Sequence, residues 1–257
     1  MNNSPIGIYD SGFGGLSVWR ELRRELPDES LLYLGDGKNC PYGSLPEERI
    51  REVADEAMAT LLAQGCKMVV VACNTATSAA IEFLRDKYHD VPIVGLEPAV
   101  KPACERSRTG VVGVVATERS LESEKFLNTL ARYNNGVRVI RQVGRGFVEA
   151  VEANEESLPT TRELVQGVIE PIIEQGADII VLGCTHYPFL REVINDVVGE
   201  REVEIIDSGE AVAKRVEYLL DELNLRAENG ASAEYRFMTF ADEEYKERLR
   251  RKAFGEI

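Results

Sequence analysis

Two cysteines stand in the same setting in this chain. Val69-Val70-Val71-Ala72 runs into Cys73-Asn74-Thr75, and Ile179-Ile180-Val181-Leu182-Gly183 runs into Cys184-Thr185-His186. A thiolate is a competent base and the thiol it becomes is a competent acid, with an ordinary pKa of about 8.5, near the neutral working range. Each cysteine closes a short apolar run rich in β-branched residues. Such a run reads as a buried parallel strand, which puts the sulfur at a strand's carboxyl end, where open α/β sheets hold their ligands. Either cysteine alone reads as a small buried hydrophobe. Packing gives no reason for the same punctuation to occur twice, so the repetition points to chemistry shared by two halves.

Other candidate groups gather at strand ends. Asp10-Ser11-Gly12-Phe13-Gly14-Gly15 follows the strand Ile6 to Tyr9 and precedes Leu16, Val18, Trp19, Leu22 and Leu26 at helical spacing. Strand, glycine-rich turn and helix together read as an anion cradle of backbone N–H groups. The spacing is not Gly-x-Gly-x-x-Gly, and no Lys-Ser/Thr pair follows, so a nucleotide is the weaker guess. Asp36 ends the strand Leu31 to Leu34, as a turn cap or a functional carboxylate. His186 reads equally as a structural histidine or an acid/base group, and Glu152 by itself as a solvated helix charge. A helix N-terminus is expected directly after each cysteine, a position that favours a thiolate.

The elements that must position these groups alternate. A helix over Glu47 to Gln64 precedes the Cys73 strand, a helix through Ala79, Ala80, Phe83 and Leu84 follows it, and Pro92 to Leu96 is the next strand. Glu97-Pro98 is the crossing point to a second half with strands Gly110 to Val115 and Val137 to Val143. Helices over Glu118 to Leu130 and Leu158 to Gln175, the latter despite Pro171, flank them, and Phe147 to Glu152 follows the Gly144-Arg145-Gly146 turn. After Cys184 come a helix through Leu190, Val193 and Ile194, the strand Val203 to Ile206 and a helix from Ala211 to Leu223. Arg236 to Phe240 reads as a strand and Asp242 to Lys252 as a helix, with no catalytic part for this tail.

Composition narrows the partners. The chain has 257 residues, 30 basic against 44 acidic, and a net charge of −14, which argues against nucleic acid or an anionic membrane surface. Five cysteines, at positions 40, 66, 73, 104 and 184, show no metal-site spacing and suit a reducing compartment, and His89 and His186 are too few for a Cys/His zinc cage. The first residues are too short and polar for a signal peptide, and no apolar run approaches the roughly 18 residues of a membrane span. A cytoplasmic location is expected.

Asp10-Ser11-Gly12 with Gly14-Gly15, Pro41-Tyr42-Gly43, Ala72-Cys73-Asn74-Thr75, Leu182-Gly183-Cys184-Thr185-His186-Tyr187-Pro188 and Asp207-Ser208-Gly209, in that order, resemble the glutamate racemases of the aspartate/glutamate racemase superfamily. The resemblance runs from Ile6 to about Leu220. It implies an α/β fold of two pseudo-symmetric, doubly wound parallel-sheet domains, residues 1–97 with 208–257 and residues 98–207, with the active site in the cleft between them. The activity it implies is racemisation of L- and D-glutamate without PLP or metal, by two cysteines, supplying D-glutamate for peptidoglycan. Carried over by position, Cys73 and Cys184 are the catalytic pair, and Asp10, Asp36, Glu152 and His186 support them. Substrate-contacting positions are Asp10, Ser11, Pro41, Tyr42, Gly43, Cys73, Asn74, Thr75, Thr117, Thr185 and His186. A homodimer is expected.

Two segments depart from the family pattern. Gly37-Lys38-Asn39 stands where Thr-Ala-Arg or similar usually follows the aspartate, and Gly144-Arg145 stands near the place of a usual Cys-Pro. Competing readings are a sister enzyme acting on aspartate, a hydantoin or maleate, a binding protein that keeps the fold, and a cysteine hydrolase with His186 as base. The last leaves the second cysteine motif without a purpose.

Overall fold

The computed structural model describes residues 2–257. The chain forms two units, Met1–Leu96 with Gly209–Ile257, and Glu97–Ser208.

In the first unit the apolar runs become β1 (Ile6–Asp10), β2 (Leu31–Gly35), β3 (Met68–Val71) and β4 (Ile93–Gly95), joined by α1 (Leu16–Glu25), α2 (Glu47–Ala63) and α3 (Asn74–Lys87). After the second unit the chain returns as α10 (Gly209–Glu222), β9 (Tyr235–Thr239) and α11 (Glu243–Ala253). The sheet order is β4-β3-β1-β2-β9, and every pairing is parallel. Helices cover both faces, as buried parallel strands require. Tyr9, Leu32, Leu34, Val69 and Val71 pack under α2 and α3. On the other face Trp19 of α1 meets the rings of Tyr235 and Phe237.

The second unit contains α4 (Val100–Arg106), β5 (Val111–Ala116), α5 (Glu118–Glu122), α6 (Glu124–Tyr133), β6 (Arg138–Val143) and α7 (Phe147–Glu152). It continues with α8 (Pro159–Glu174), β7 (Ile179–Leu182), α9 (Arg191–Val198) and β8 (Glu204–Ile206). Its order is β6-β5-β7-β8, again all parallel. In each unit the earliest strand is central, the next flanks it on one side, and the cysteine-bearing strand flanks it on the other. The expected two-unit α/β architecture of parallel sheets is what the chain adopts.

Three local features differ from the sequence expectation. The helix expected over residues 118–130 is two helices, because Ser123 is extended (φ −63°, ψ 140°) and its Oγ accepts from Phe126 N, starting α6 afresh. The unforeseen α4 has Pro102 in its first turn, where a missing N–H costs nothing, so the prolines around it concealed a helix. The helix expected directly after Cys184 begins only at Arg191, behind a 3-10 turn, Tyr187–Leu190, with Pro188 in its opening.

Asp178, buried just ahead of β7, pins the approach to β5. It accepts from Ser107 Oγ (2.6 Å), Arg108 N (2.6 Å), Thr109 N (3.2 Å) and Thr109 Oγ1 (3.1 Å). Burial pushes its pKa up, and these hydrogen bonds outweigh that and hold it below the ordinary carboxylate value. A depressed folded-state pKa contributes stability that is present above the unfolded value, about 3.9, and lost as pH falls through the folded one. Asp178→Ala is therefore expected to destabilise the protein by about 1–3 kcal/mol at pH 7, through the donors it leaves unsatisfied. Denaturant titrations at pH 7 and at pH 3 should show the gap between variant and wild type closing on acidification; a gap that widens contradicts this account.

Candidate active site

In the first unit Tyr9 pairs with Val71, so Ser11 and Cys73, each two residues on, fall opposite one another just beyond the sheet. Ala72 N continues the ladder to Tyr9 O at 2.7 Å. Cys73 is extended and caps α3, its sulfur accepting from Ala76 N at 3.4 Å, and its S–H points to Ser11 Oγ at 3.8 Å. The helix N-terminus expected behind this cysteine is present. Asn74 and Thr75, in the first turn of α3, are buried. Asn74 Oδ1 is a buried acceptor with no hydrogen-bond partner among the described residues.

The glycine-rich turn works differently from the expected anion cradle. Gly12 N (3.1 Å) and Gly15 N (2.9 Å) both donate to Asp10 Oδ2, so the anion they hold is the protein's own carboxylate. Close approach demands the glycine at 15, where a Cβ would lie 2.6 Å from Asp10 Cβ.

Asp36 is held from several sides. Asn39 Nδ2 donates to both its oxygens (3.0 and 2.9 Å), and Tyr42 OH donates to Oδ2 at 2.7 Å. Tyr9 OH lies 2.5 Å from Tyr42 OH, so a chain of hydroxyls links Tyr9 through Tyr42 to Asp36. With Tyr42 donating onward to the carboxylate, Tyr9 donates to Tyr42. Burial, above all, pushes the pKa of both phenols well above the ordinary value, so they stay protonated donors. Tyr42 and Gly43 form a 3-10 turn with Ser44, and Pro41 before it is exposed.

The second unit repeats the register. Val115 pairs with Leu182, and Gly183 N donates to Val115 O at 2.7 Å, which sets Thr117 opposite Cys184 as Ser11 is set opposite Cys73. The neighbours differ. Ala116 occupies the position of Asp10, and the acid/base groups come from elsewhere: Cys184 Sγ lies 3.8 Å from His186 Nδ1, and His186 Nε2 lies 2.7 Å from Glu152 Oε1 at the end of α7. A carboxylate only accepts, so Nε2 carries the proton shared with Glu152, and in the neutral ring Nδ1 presents its lone pair toward the sulfur. Thr117 caps α5 through Ser120 N and donates to Ser120 Oγ at 2.8 Å. Thr185 and His186 are buried.

The structure thus gathers Asp10, Ser11, Cys73, Asn74 and Thr75 at one strand-end cluster, with Asp36 and Tyr42 in the adjacent loop. It gathers Thr117, Cys184, Thr185, His186 and Glu152 at another. Sequence reasoning missed Tyr9 and Asn39. Strand alternation was a usable signal for Tyr9, which shares a sheet face with Ser11; Asn39 had none beyond its loop position. In each segment that departs from the family pattern, one glycine is sterically required. A Cβ at Gly144 would sit 2.6 Å from the Tyr187 hydroxyl, which donates to Gly144 O, and a Cβ at Gly37 would sit 2.5 Å from Tyr245 Cε1. The remaining buried thiols are of another kind. Burial pushes Cys66 up to about 11 and also raises Cys104, which leaves both as inert packing.

Each of the two parallel-sheet units thus carries a strand-end thiol, backed by hydroxyls in one and by an imidazole–carboxylate pair in the other. Residues 14–216 match the Asp/Glu/hydantoin racemase family. The glutamate racemase of Ectopseudomonas mendocina is 50% identical over 235 residues, 91% of this chain and 89% of its own. The crystal structure of Escherichia coli glutamate racemase with L-glutamate and the activator UDP-MurNAc-Ala superposes with a TM-score of 0.85, at 32% identity, over 96% of this chain and 92% of its own. That of Francisella tularensis glutamate racemase with D-glutamate gives 0.84, at 26% identity, over 99% and 95%. The chain belongs to the Asp/Glu/hydantoin racemase family, and is an amino-acid racemase.

Proposed function

We propose that this enzyme is a glutamate racemase that interconverts L- and D-glutamate with two thiols and no cofactor. The observation that carries the reading is the duplicated register: each cysteine stands two residues beyond the last pair of its sheet, opposite a hydroxyl residue. Relatives named for this activity, and similar enzymes solved with each enantiomer, supply the substrate.

Racemisation takes a proton from one face of the α-carbon and returns one to the other. One cysteine, as thiolate, takes the α-proton and becomes a thiol. The second, as thiol, gives its proton to the opposite face and becomes a thiolate. Atoms and charge balance, and the pair ends with its roles exchanged, ready for the other enantiomer. Two bases avoid having one base swing across the substrate. Asn74 Oδ1 fits the substrate ammonium, the one strong donor that glutamate brings to a site otherwise rich in donors. Ser11, Thr75, Thr117 and Thr185 offer hydroxyls to its carboxylates, so neutral donors hold two carboxylates in a protein of net charge −14.

Among the described residues no helix is long and apolar enough to cross a membrane. On this reading the enzyme works in the cytoplasm as a homodimer, closed two-fold symmetry being the commonest assembly, and its product feeds peptidoglycan synthesis. Incubated with L-glutamate in D₂O without PLP, it is expected to drive optical rotation to zero and to place deuterium on the α-carbon of the product. Turnover of aspartate with glutamate left untouched removes the substrate assignment; unchanged rotation with both removes the activity.

A further inference from the structure

The structure assigns a part to the C-terminal helix: Tyr245 of α11 is a positioning residue that holds together the two loops carrying Asp10, Ser11 and Asp36. This inference rests on the proposed racemase chemistry only for its kinetic readout.

Tyr245 is the third residue of α11, placed by the cap at Asp242, whose side chain accepts from Tyr245 N at 2.8 Å. Its ring stacks on Phe13, in the loop after β1, with centroids 4.8 Å apart and planes at 18°. The same ring lies against Gly37, in the loop after β2. A Cβ there would be 2.5 to 2.8 Å from three of its carbons, and the backbone is left-handed at φ +64°. Glycine is thus required twice over, by conformation and by the tyrosine.

Those two loops are also bonded to each other. Asp36 N donates to Asp10 O (3.0 Å) and Gly37 N to Ser11 O (2.9 Å), so a shift of either carries the other's functional residues with it. The next turns of α11 extend the contact at helical spacing. Arg248 sets its guanidinium 5.0 Å from the Phe13 centroid, Leu249 packs where a Gly35 side chain would be, and Lys252 Nζ lies 5.7 Å from the Phe13 centroid. Phe13 is fully buried, so its ring has no other place to go. The face Tyr245, Arg248, Leu249, Lys252 therefore rests on the strand ends that bear the site.

A misplacement on the order of 1 Å at a reacting group costs up to about 10²-fold in rate. Tyr245→Ala is expected to lower kcat for L-glutamate at least about ten-fold, and Tyr245→Phe, which keeps the ring, to restore it. Phe254→Ala is the comparator. Phe254 ends α11 against Trp19, Tyr235 and Phe237, away from both loops, so its loss should lower Tm while kcat stays at the wild-type value. Hydrogen exchange by mass spectrometry reads positioning without any turnover: peptides spanning 10–15 and 35–40 should exchange faster in Tyr245→Ala and not in Phe254→Ala. If Tyr245→Ala folds poorly, Tyr245→Leu takes its place in both measurements. The inference is overturned if the Tyr245 variants keep wild-type kcat and loop exchange, or if they and Phe254→Ala lose activity in step with Tm. Should the wild type fail to racemise glutamate, the function reading falls while the exchange experiment still judges the loops.

Discussion

Cys73→Ser and Cys184→Ser are each expected to lower kcat/KM for glutamate by about 10²- to 10⁴-fold, the range that a positioned acid or base supplies. Both should stay folded. At position 73 the serine hydroxyl takes over the cap on Ala76 N, a role serine fills better than cysteine, and at 184 it can bond His186 Nδ1. What is lost is basicity, since an alcohol is far less acidic than a thiol and forms no useful alkoxide at neutral pH. Enantiomers have equal free energy in water, so kcat/KM must fall by the same factor in both directions, whichever cysteine is changed. The variants differ in another observable. The surviving cysteine can still remove and return a proton on its own face, so each variant should exchange the α-hydrogen of one enantiomer with D₂O, and the two should choose opposite enantiomers. Near-wild-type racemisation by either variant defeats the two-base scheme.

The second large effect is expected at His186. His186→Ala removes the group lying 3.8 Å from the Cys184 sulfur and should lower kcat/KM by about 10²-fold, the lower end of the acid/base range. Glu152→Gln should cost less. A glutamine oxygen still accepts from Nε2 and preserves the ring's orientation, but it brings no negative charge to stabilise an imidazolium. The order wild type, Glu152→Gln, His186→Ala in steady-state rates checks the chain Glu152–His186–Cys184. Glu152→Gln falling as far as His186→Ala would mean that the charge, not the imidazole, carries the effect. Glu152→Gln matching wild type would make the carboxylate a surface group after all.

The sequence was legible where local chemistry decides structure. Val69 to Val71 and Ile179 to Leu182 are too apolar and β-branched to be anything but buried strands, and this placed both cysteines at strand ends. The same kind of inference misjudged the turn at Gly12–Gly15, because amide groups at a helix start say that an anion is bound but not whose. It also extended the symmetry too far: Cys73 has a helix N-terminus behind it, whereas Pro188 turns the chain after Cys184 into a tighter coil. Illegible were contacts made across long stretches of chain. Tyr9 reaching Tyr42 and Tyr245 lying on Gly37 depend on the finished sheet. In each of the two segments that depart from the family pattern, a glycine makes room for a tyrosine ring.

The strand β9 lies at the outer edge of the first sheet, beside β2, yet it is made of residues 235–239. A chain emerging from the ribosome amino end first can complete the continuous stretch Glu97–Ser208 while the first sheet still has a bare edge along β2. If α11 positions the loops as proposed, their geometry is set only once residues 235–253 have closed that edge. Until β9 pairs with β2 that edge stays open, and products stalled before residue 235 should accumulate as edge-exposed species.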